Sequence, residues 1–297
     1  MEQLRNKYIS LCNQPSDINQ HLPTLCKYAS ECNSVFETGV RGVISSYALT
    51  YGLLNNPNKH TKKEILLNDL TECNISEFIR CTRQLPIDIN YIWKSNLNID
   101  LLQKYDLTFI DTFHVYGQLK RELEKFSKFT NKYIIMHDTT IDGVIGEAKR
   151  GGGYGNYYYT NNKMDELSKI TNLPVNEILN GLWPAIEEFL AMNHDWKLKE
   201  RFTNNNGLTI LEKKLSKVSD DFVITTLEPE EDEVVPVIFK NSWAKPFEAV
   251  TTMYGAPQEG EPDPTPYLAP FFTLFFGFVA LYLGIGGFFQ LIEMDIS

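Results

Sequence analysis

Cysteine is scarce in this chain of 297 residues: five, at Cys12, Cys26, Cys32, Cys73 and Cys81, all within the first 81 residues and none in a CxxC pair. An odd number so distributed makes no disulfide framework, so reduced, mostly structural thiols are expected. The start, MEQLRNKYISLC, lacks an apolar core behind a basic stretch. No secretory leader is therefore expected, and the body should sit in a reducing compartment, the cytoplasm. The sequence has no internal repeat, no Gx4GK[ST] loop, no GxSxG elbow and no HExxH pair. Phosphoryl transfer on a P-loop, acyl transfer by a serine and zinc proteolysis lack their minimum parts. Excess positive charge is also missing: Lys and Arg number 28 against 38 Asp and Glu. Residues 1–215 balance 25 basic against 25 acidic side chains, while residues 216–297 hold 3 and 13. A neutral body followed by an acidic tail offers no field to attract a phosphate backbone, which argues against a nucleic-acid partner.

What is present is enough apolar material for a full core, 43% hydrophobic and 12% aromatic residues. Short apolar runs alternate with amphipathic stretches, the pattern of βαβ units in a mostly parallel sheet. Strands are expected at 35–37, 65–69, 87–93, 107–111, 133–138, 196–202 and 208–211. Val115, Leu119, Leu123 and Phe126 recur at helical spacing, as do Val43, Tyr47, Ala48 and Tyr51. Val175, Ile178, Leu179 and Leu182 make a short helix, and Pro184, well placed as a first helical residue, opens the next. Asn204-Asn205-Asn206-Gly207 is a tight-turn sequence, so the last two strands should form an antiparallel hairpin. Gly151-Gly152-Gly153-Tyr154 and the tyrosines that follow read as a surface loop or a lid.

Beyond residue 215 the composition changes. Residues 216–236 carry Glu228-Pro229-Glu230-Glu231-Asp232-Glu233 and read as a solvated acidic linker. Residues 237–266 lead to 267–292, which are 26 residues without a formal charge. That run is long enough for a transmembrane helix across a hydrocarbon core of about 30 Å. A buried hairpin is the alternative.

The residues able to do chemistry gather at strand ends. The first strand runs into Phe36-Glu37-Thr38-Gly39-Val40-Arg41-Gly42, where glycines let the backbone approach a ligand and Glu37 can accept from an amine or a hydroxyl. A turn needing Gly39 and Gly42 for geometry alone would look the same. The second strand ends in Asp69, where a ribose diol is held in such sheets. The fourth ends in Asp111, three residues before His114, and the fifth in His137 and Asp138. Ligands bind outside the carboxyl ends of open α/β sheets, so these groups should meet in one crevice. Paired carboxylates can hold a hard cation and a histidine can remove a hydroxyl proton. Helix caps and backbone-bonded histidines would use the same residues. His21, His60 and His194 have no evident partners and read as exposed or packed.

With ETGVRG at 37–42, NDL at 68–70, FIDTFHVYGQLKREL at 109–123, YIIMHDTT at 133–140, GLWPAIEEFL at 181–190 and RFTNNNGLTIL at 201–211, residues 1–215 resemble class I S-adenosylmethionine (SAM)-dependent methyltransferases. The likeness is to the cephalosporin-hydroxylase and macrocin O-methyltransferase type. It implies a Rossmann-like α/β sheet of order 3-2-1-4-5-7-6. It also implies methyl transfer to a hydroxyl of a small molecule or sugar. By the same resemblance Glu37, Gly39, Gly42 and Asp69 would bind SAM, and Asp111 and Asp138 would hold a magnesium ion; on the residues' own chemistry His114 or His137 would then remove the acceptor proton. Arg41 in the glycine turn and His137 beside Asp138 depart from the family pattern. Residues 235–278, with PFE, MYG and DPTP, resemble archaeal-type rotary (V-type) ATPase subunit I where its cytoplasmic arm enters the membrane. That likeness implies rotary ATPase subunits as partners and a membrane-anchored chain with its N-terminal domain in the cytoplasm.

Overall fold

The computed structural model describes residues 1–214. The acidic linker, the juxtamembrane segment and the apolar run at 267–292 all lie outside them. Among the described residues no helix is long and apolar enough to cross a membrane.

The chain opens with helices α1 (Glu2–Asn13) and α2 (Leu22–Ser30), then alternates β1 (Ser34–Thr38), α3 (Ile44–Asn55), β2 (Glu64–Asp69), α4 (Ser76–Thr82), β3 (Asp88–Trp93), β4 (Tyr105–Ile110), α5 (Tyr116–Phe126) and β5 (Thr130–His137). Five helices follow: α6 (Glu147–Arg150), α7 (Asn156–Thr160), α8 (Met164–Thr171), α9 (Val175–Leu179) and α10 (Leu182–Met192). The hairpin of β6 (Trp196–Phe202) and β7 (Leu208–Lys213) ends the described chain. All seven strands form one sheet of order 3-2-1-4-5-7-6. β1 to β5 are parallel, and β7 enters antiparallel between β5 and β6. This is a Rossmann-like, seven-stranded mixed sheet.

Its central strands are apolar on both faces because helices cover both. In β5, Tyr133 and Ile135 pack with Leu25, Leu49 and Leu53 from α2 and α3, whereas Ile134 and Met136 pack with Leu119, Leu123 and Ile186 from α5 and α10. The two-residue alternation of a strand thus divides one continuous apolar run between two cores.

Several boundaries differ from the sequence expectation. β4 starts at Tyr105 and stops at Ile110, and β5 starts at Thr130 and stops at His137. Polar residues such as Thr130 and Asn131 extend the ladder without an apolar signal, and Asp111 and Asp138 fall one residue past their strands. Pro184 is the third residue of α10, not its first, which costs no hydrogen bond because the first four amides of a helix have no internal acceptor. Within the tyrosine-rich segment, residues 156–160 are helical, and Tyr154 lies edge-on to Phe113 at 6.1 Å between ring centres.

Candidate functional site

The sheet reverses direction of winding between β1 and β4, the switch point at which such folds open a crevice. Register brings the expected residues to one rim. Thr38 pairs with Asn68 on one side and Ile110 on the other, and Ile110 pairs with Met136. The residues that follow, Gly39, Asp69, Asp111 and the His137-Asp138 pair, leave the sheet side by side. Two backbone bonds extend the ladder past the strands: Gly39 N–H donates to Asn68 O at 2.8 Å and Asp111 N–H to Thr38 O at 2.9 Å.

Gly39 has φ +91°, and a Cβ there would lie 1.7 Å from the Asp111 carbonyl oxygen. Only glycine fits this crossing of the two loops. Gly42 is different, since an added Cβ would meet nothing nearer than the Ile44 side chain at 3.8 Å. Its expected special conformation falls instead on Arg41 (φ 40°) and Val43 (φ 62°). A β-branched residue in the left-handed region marks a strained turn, of the kind that gathers at ligand sites. Arg41 turns its guanidinium out of the crevice to Asp17, at 2.6 Å, while its amide donates to Asp69 Oδ2 at 2.9 Å.

Glu37 does not reach the crevice surface. It is fully buried, accepts a short hydrogen bond from Ser45 Oγ, and leaves Oε2 without a partner. Burial raises its pKa to about 7, with Ser45 and Ser46 opposing.

Asp111, His114, His137 and Asp138 do come together. His114 Nε2 lies 3.0 Å from Asp111 Oδ1, and its Nδ1 lies 3.1 Å from both Asp138 Oδ2 and Glu147 Oε2 and 3.5 Å from Asp142 Oδ2. An imidazole enclosed by four carboxylates is stabilised as imidazolium: burial opposes its charge, but the bonds to Asp111 and Glu147 outweigh that and raise its pKa well above the usual value. Burial likewise opposes ionisation of Asp111, yet the hydrogen bond to His114 and the charges of His114 and His137 hold its carboxyl well below the normal range. Asp138 and Asp142 are shifted upward by burial. Arg150 grips Asp142 through both Nε and Nη2. Against four carboxylates stand His114 and Arg150, with His137 also biased toward its charged form by Asp111. The remaining negative charge suits a cationic ligand, a metal ion or a sulfonium.

His137 is nearly inaccessible, 2% exposed. Its Nε2 sits 3.3 Å from the Asn205 carbonyl, and its Nδ1 lies 3.5 Å from Asp111 Oδ1 and 3.5 Å from Asp138 Oδ1. Burial disfavours its charged form, but the neighbouring Asp111 carries its pKa upward. Its Nδ1 and Asp138 Oδ1 are both buried without a hydrogen-bond partner.

Sequence reasoning missed Asp142, Glu147, Arg150 and His21. Asp142 lies on the irregular stretch after β5, and Glu147 and Arg150 on α6, which is too short to show a periodicity in the sequence. Glu147 is drawn in by its own amide, which donates to the His114 carbonyl at 3.0 Å. His21, expected to be without partners, is buried and donates through Nε2 to the Asn204 and Asn205 carbonyls at 2.9 and 3.1 Å, with its ring 5.8 Å from that of His137. The turn 204–207 that it holds lies 183 residues away in sequence, so no local signal could reveal the contact. A cleft of about 390 Å³ by Met1, Arg80 and Leu85 lies toward the amino end of β3, off this rim.

No protein-family model matches the chain. The structure is similar to an O-methyltransferase from Bacillus cereus in complex with SAH, at 13% identity over 72% of this chain and 91% of the other, TM-score 0.46. It is also similar to an O-methyltransferase of tomaymycin synthesis from Streptomyces achromogenes in complex with SAM, at 12% identity over 72% and 90%, TM-score 0.44. A stretch of 59 residues, 19% of the chain, is 48% identical to A-type ATP synthase subunit I of Thermococcus kodakarensis. A stretch of 57 residues is 46% identical to the same subunit of Methanocaldococcus jannaschii. The chain spans only 9% and 8% of those two relatives.

Proposed function

We propose that residues 1–214 are a SAM-dependent methyltransferase acting on a hydroxyl of a small molecule or sugar. The observation that carries this reading is the convergence, at the switch point of a 3-2-1-4-5-7-6 sheet, of the Gly39 turn, Asp69 and the Asp111–Asp138 cluster. When bound, SAM supplies the methyl group. Gly39 lets the backbone come close to it, the strained turn at Arg41 and Val43 offers amides, and Asp69 exchanges the Arg41 amide for ribose hydroxyls. The excess of carboxylates faces the sulfonium side of such a ligand. Most of the rate comes from holding donor and acceptor in line, since that placement replaces a bimolecular encounter.

On the acceptor side, His114 has both nitrogens engaged and no free lone pair, so it positions Asp111 and Glu147 and does not act as base. His137 Nδ1 and Asp138 Oδ1 are the uncommitted atoms that can bind a cation or receive a proton. The donor set of Asp111 and Asp138 fits a divalent ion, which when bound would orient the acceptor oxygen and lower its pKa. Tyr154, half exposed beside Phe113, offers an aromatic face on which a sugar or arene ring can lie. Calorimetric titration of the full chain with SAM should give one-to-one binding, and labelled SAM should pass its methyl to a hydroxyl acceptor in a panel. Absence of any SAM binding would sink the reading.

A second reading rests on the 59-residue identity to ATP synthase subunit I. In it, the C-terminal part anchors the chain in a membrane near rotary ATPase subunits and the N-terminal domain docks on them from the cytoplasm. Co-purification of those subunits with the full chain, and not with residues 1–214, is its expected mark.

A further inference from the structure

The two outermost strands of the sheet, β3 and β6, are built differently. An outer strand offers unpaired N–H and C=O groups on which another strand can form, and natural proteins blunt that hazard with charge, irregularity or cover. β6 is blunted: Lys197, Lys199, Glu200 and Arg201 lie along it, and its register with β7 shifts between Leu198 and Glu200. β3, Asp88-Ile89-Asn90-Tyr91-Ile92-Trp93, has no charge after its first residue, no proline and no register shift against β2. Tyr91 is 54% exposed, and its ring stacks on that of Trp93 at 5.4 Å.

Backbone directions show which groups of β3 are unpaired. The Asp88 amide donates to the Lys63 carbonyl at 2.9 Å, and the Ile92 and Lys94 carbonyls accept from Asn68 Nδ2 at 2.8 and 2.9 Å. The even-numbered residues thus turn their backbone groups toward β2. Successive residues of a strand point theirs in opposite directions, so Ile89, Tyr91 and Trp93 turn N–H and C=O outward. Two copies of β3 laid antiparallel about Tyr91 would set Tyr91 opposite Tyr91 and Ile89 opposite Trp93, all as hydrogen-bonded pairs. The same register sets Asp88 of one copy opposite Lys94 of the other, in a non-hydrogen-bonded pair, where side chains come closest. Asp88 pairs with Lys62 at 2.6 Å, both side chains exposed, and among the described residues no ion pair includes Lys94.

We propose that β3 is the seam of a two-fold homodimer, in which the sheets of two copies join edge to edge. The occupant is a second copy because the match of Asp88 with Lys94 arises when this sequence meets itself in reverse. Sliding the register by two residues either way sets Asp88 against Ile92 or Asn96 and loses the ion pair. A two-fold axis makes that pair twice, once on each side of the Tyr91 crossing. The proposal is independent of methyl transfer.

The test is the mass of the purified full chain by equilibrium sedimentation over a range of concentrations. Wild type should pass from monomer to dimer as concentration rises. Tyr91→Pro deletes an N–H that β2 does not use, so the melting temperature should hold while dimer affinity falls roughly tenfold or more. Lys94→Asp faces Asp88 with a like charge and should weaken the dimer roughly tenfold, and adding Asp88→Lys should restore it to within about threefold. Under oxidation Tyr91→Cys should form a covalent dimer beyond any that wild type forms, since opposite Cα atoms in such a pair stand about 5.5 Å apart. Leu198→Cys, on the blunted edge, should not. If Tyr91→Pro loses its fold, the charge exchange and the cysteine variants decide. A wild-type chain that stays monomeric overturns the proposal, as does a dimer that neither Tyr91→Pro nor Lys94→Asp weakens, because its interface lies elsewhere. Slow amide exchange at Tyr91 in a monomeric chain assigns the edge to another segment of the same chain and overturns it too.

Discussion

At the scale of single residues, the rim is built from groups whose surroundings, more than their type, define what they do. Gly39→Ala would press a Cβ into the Asp111 carbonyl at φ +91°. A loss of at least about 2 kcal/mol is expected from the backbone strain alone, together with loss of SAM binding, read by thermal unfolding and calorimetry. Asp69 is only half-buried, and its carboxylate makes backbone contacts to Arg41 and Thr71. Asp69→Ala should therefore leave the melting temperature near wild type but weaken SAM by roughly ten- to a hundredfold, the worth of a charge-assisted hydrogen bond. A large drop in stability with unchanged affinity would point to a structural role instead. Glu37 gives a pH prediction. Its carboxyl titrates near 7 when folded, against 4.5 as its ordinary value, so in that interval the folded chain holds a proton that the unfolded chain releases. Its contribution to stability is then full below pH 4.5 and falls as pH rises to about 7. Glu37→Gln should flatten that decline and add up to about 3 kcal/mol at pH 8, measured by denaturant titration across pH.

At the scale of elements, the hairpin turn between β6 and β7 is the support of the site. Its Asn206 carbonyl accepts from the Thr140 and Ile141 amides at 2.9 Å each, just past Asp138, while Asn205 faces His21 and His137. The positive φ of Asn205, Asn206 and Gly207 makes that approach, and a Cβ on Gly207 would stand 2.3 Å from Thr140 Oγ1. His21→Ala removes two buried hydrogen bonds and leaves a void beside His137. It should cost roughly 2–4 kcal/mol in denaturant unfolding.

At the scale of the whole molecule, the sheet, both layers of helices and the acid cluster come from residues 1–214. A chain ending at Lys214 should thus unfold cooperatively and bind SAM as the full chain does. Under alkaline carbonate the full chain should stay with membranes while the shortened one washes off. Washing off of both would remove the proposed anchor.

The seven strands, the closing hairpin and the meeting of the strand ends at one rim were legible in the linear chain because apolar periodicity and the Asn204–Gly207 turn are local signals. So were Gly39, Asp69, Asp111 and Asp138, since chemistry-bearing residues right after apolar runs must emerge at the carboxyl rim of a parallel sheet. Local order could not tell that Glu37 points inward to Ser45 while its neighbour Gly39 meets Asp111, because both follow from how α3 and β4 lie against β1. Nor could it pair His21 with Asn205, or enclose His114 among Asp138, Asp142 and Glu147. Those contacts join segments brought close only when both cores have packed, and it is that packing which sets His137 beside two carboxylates.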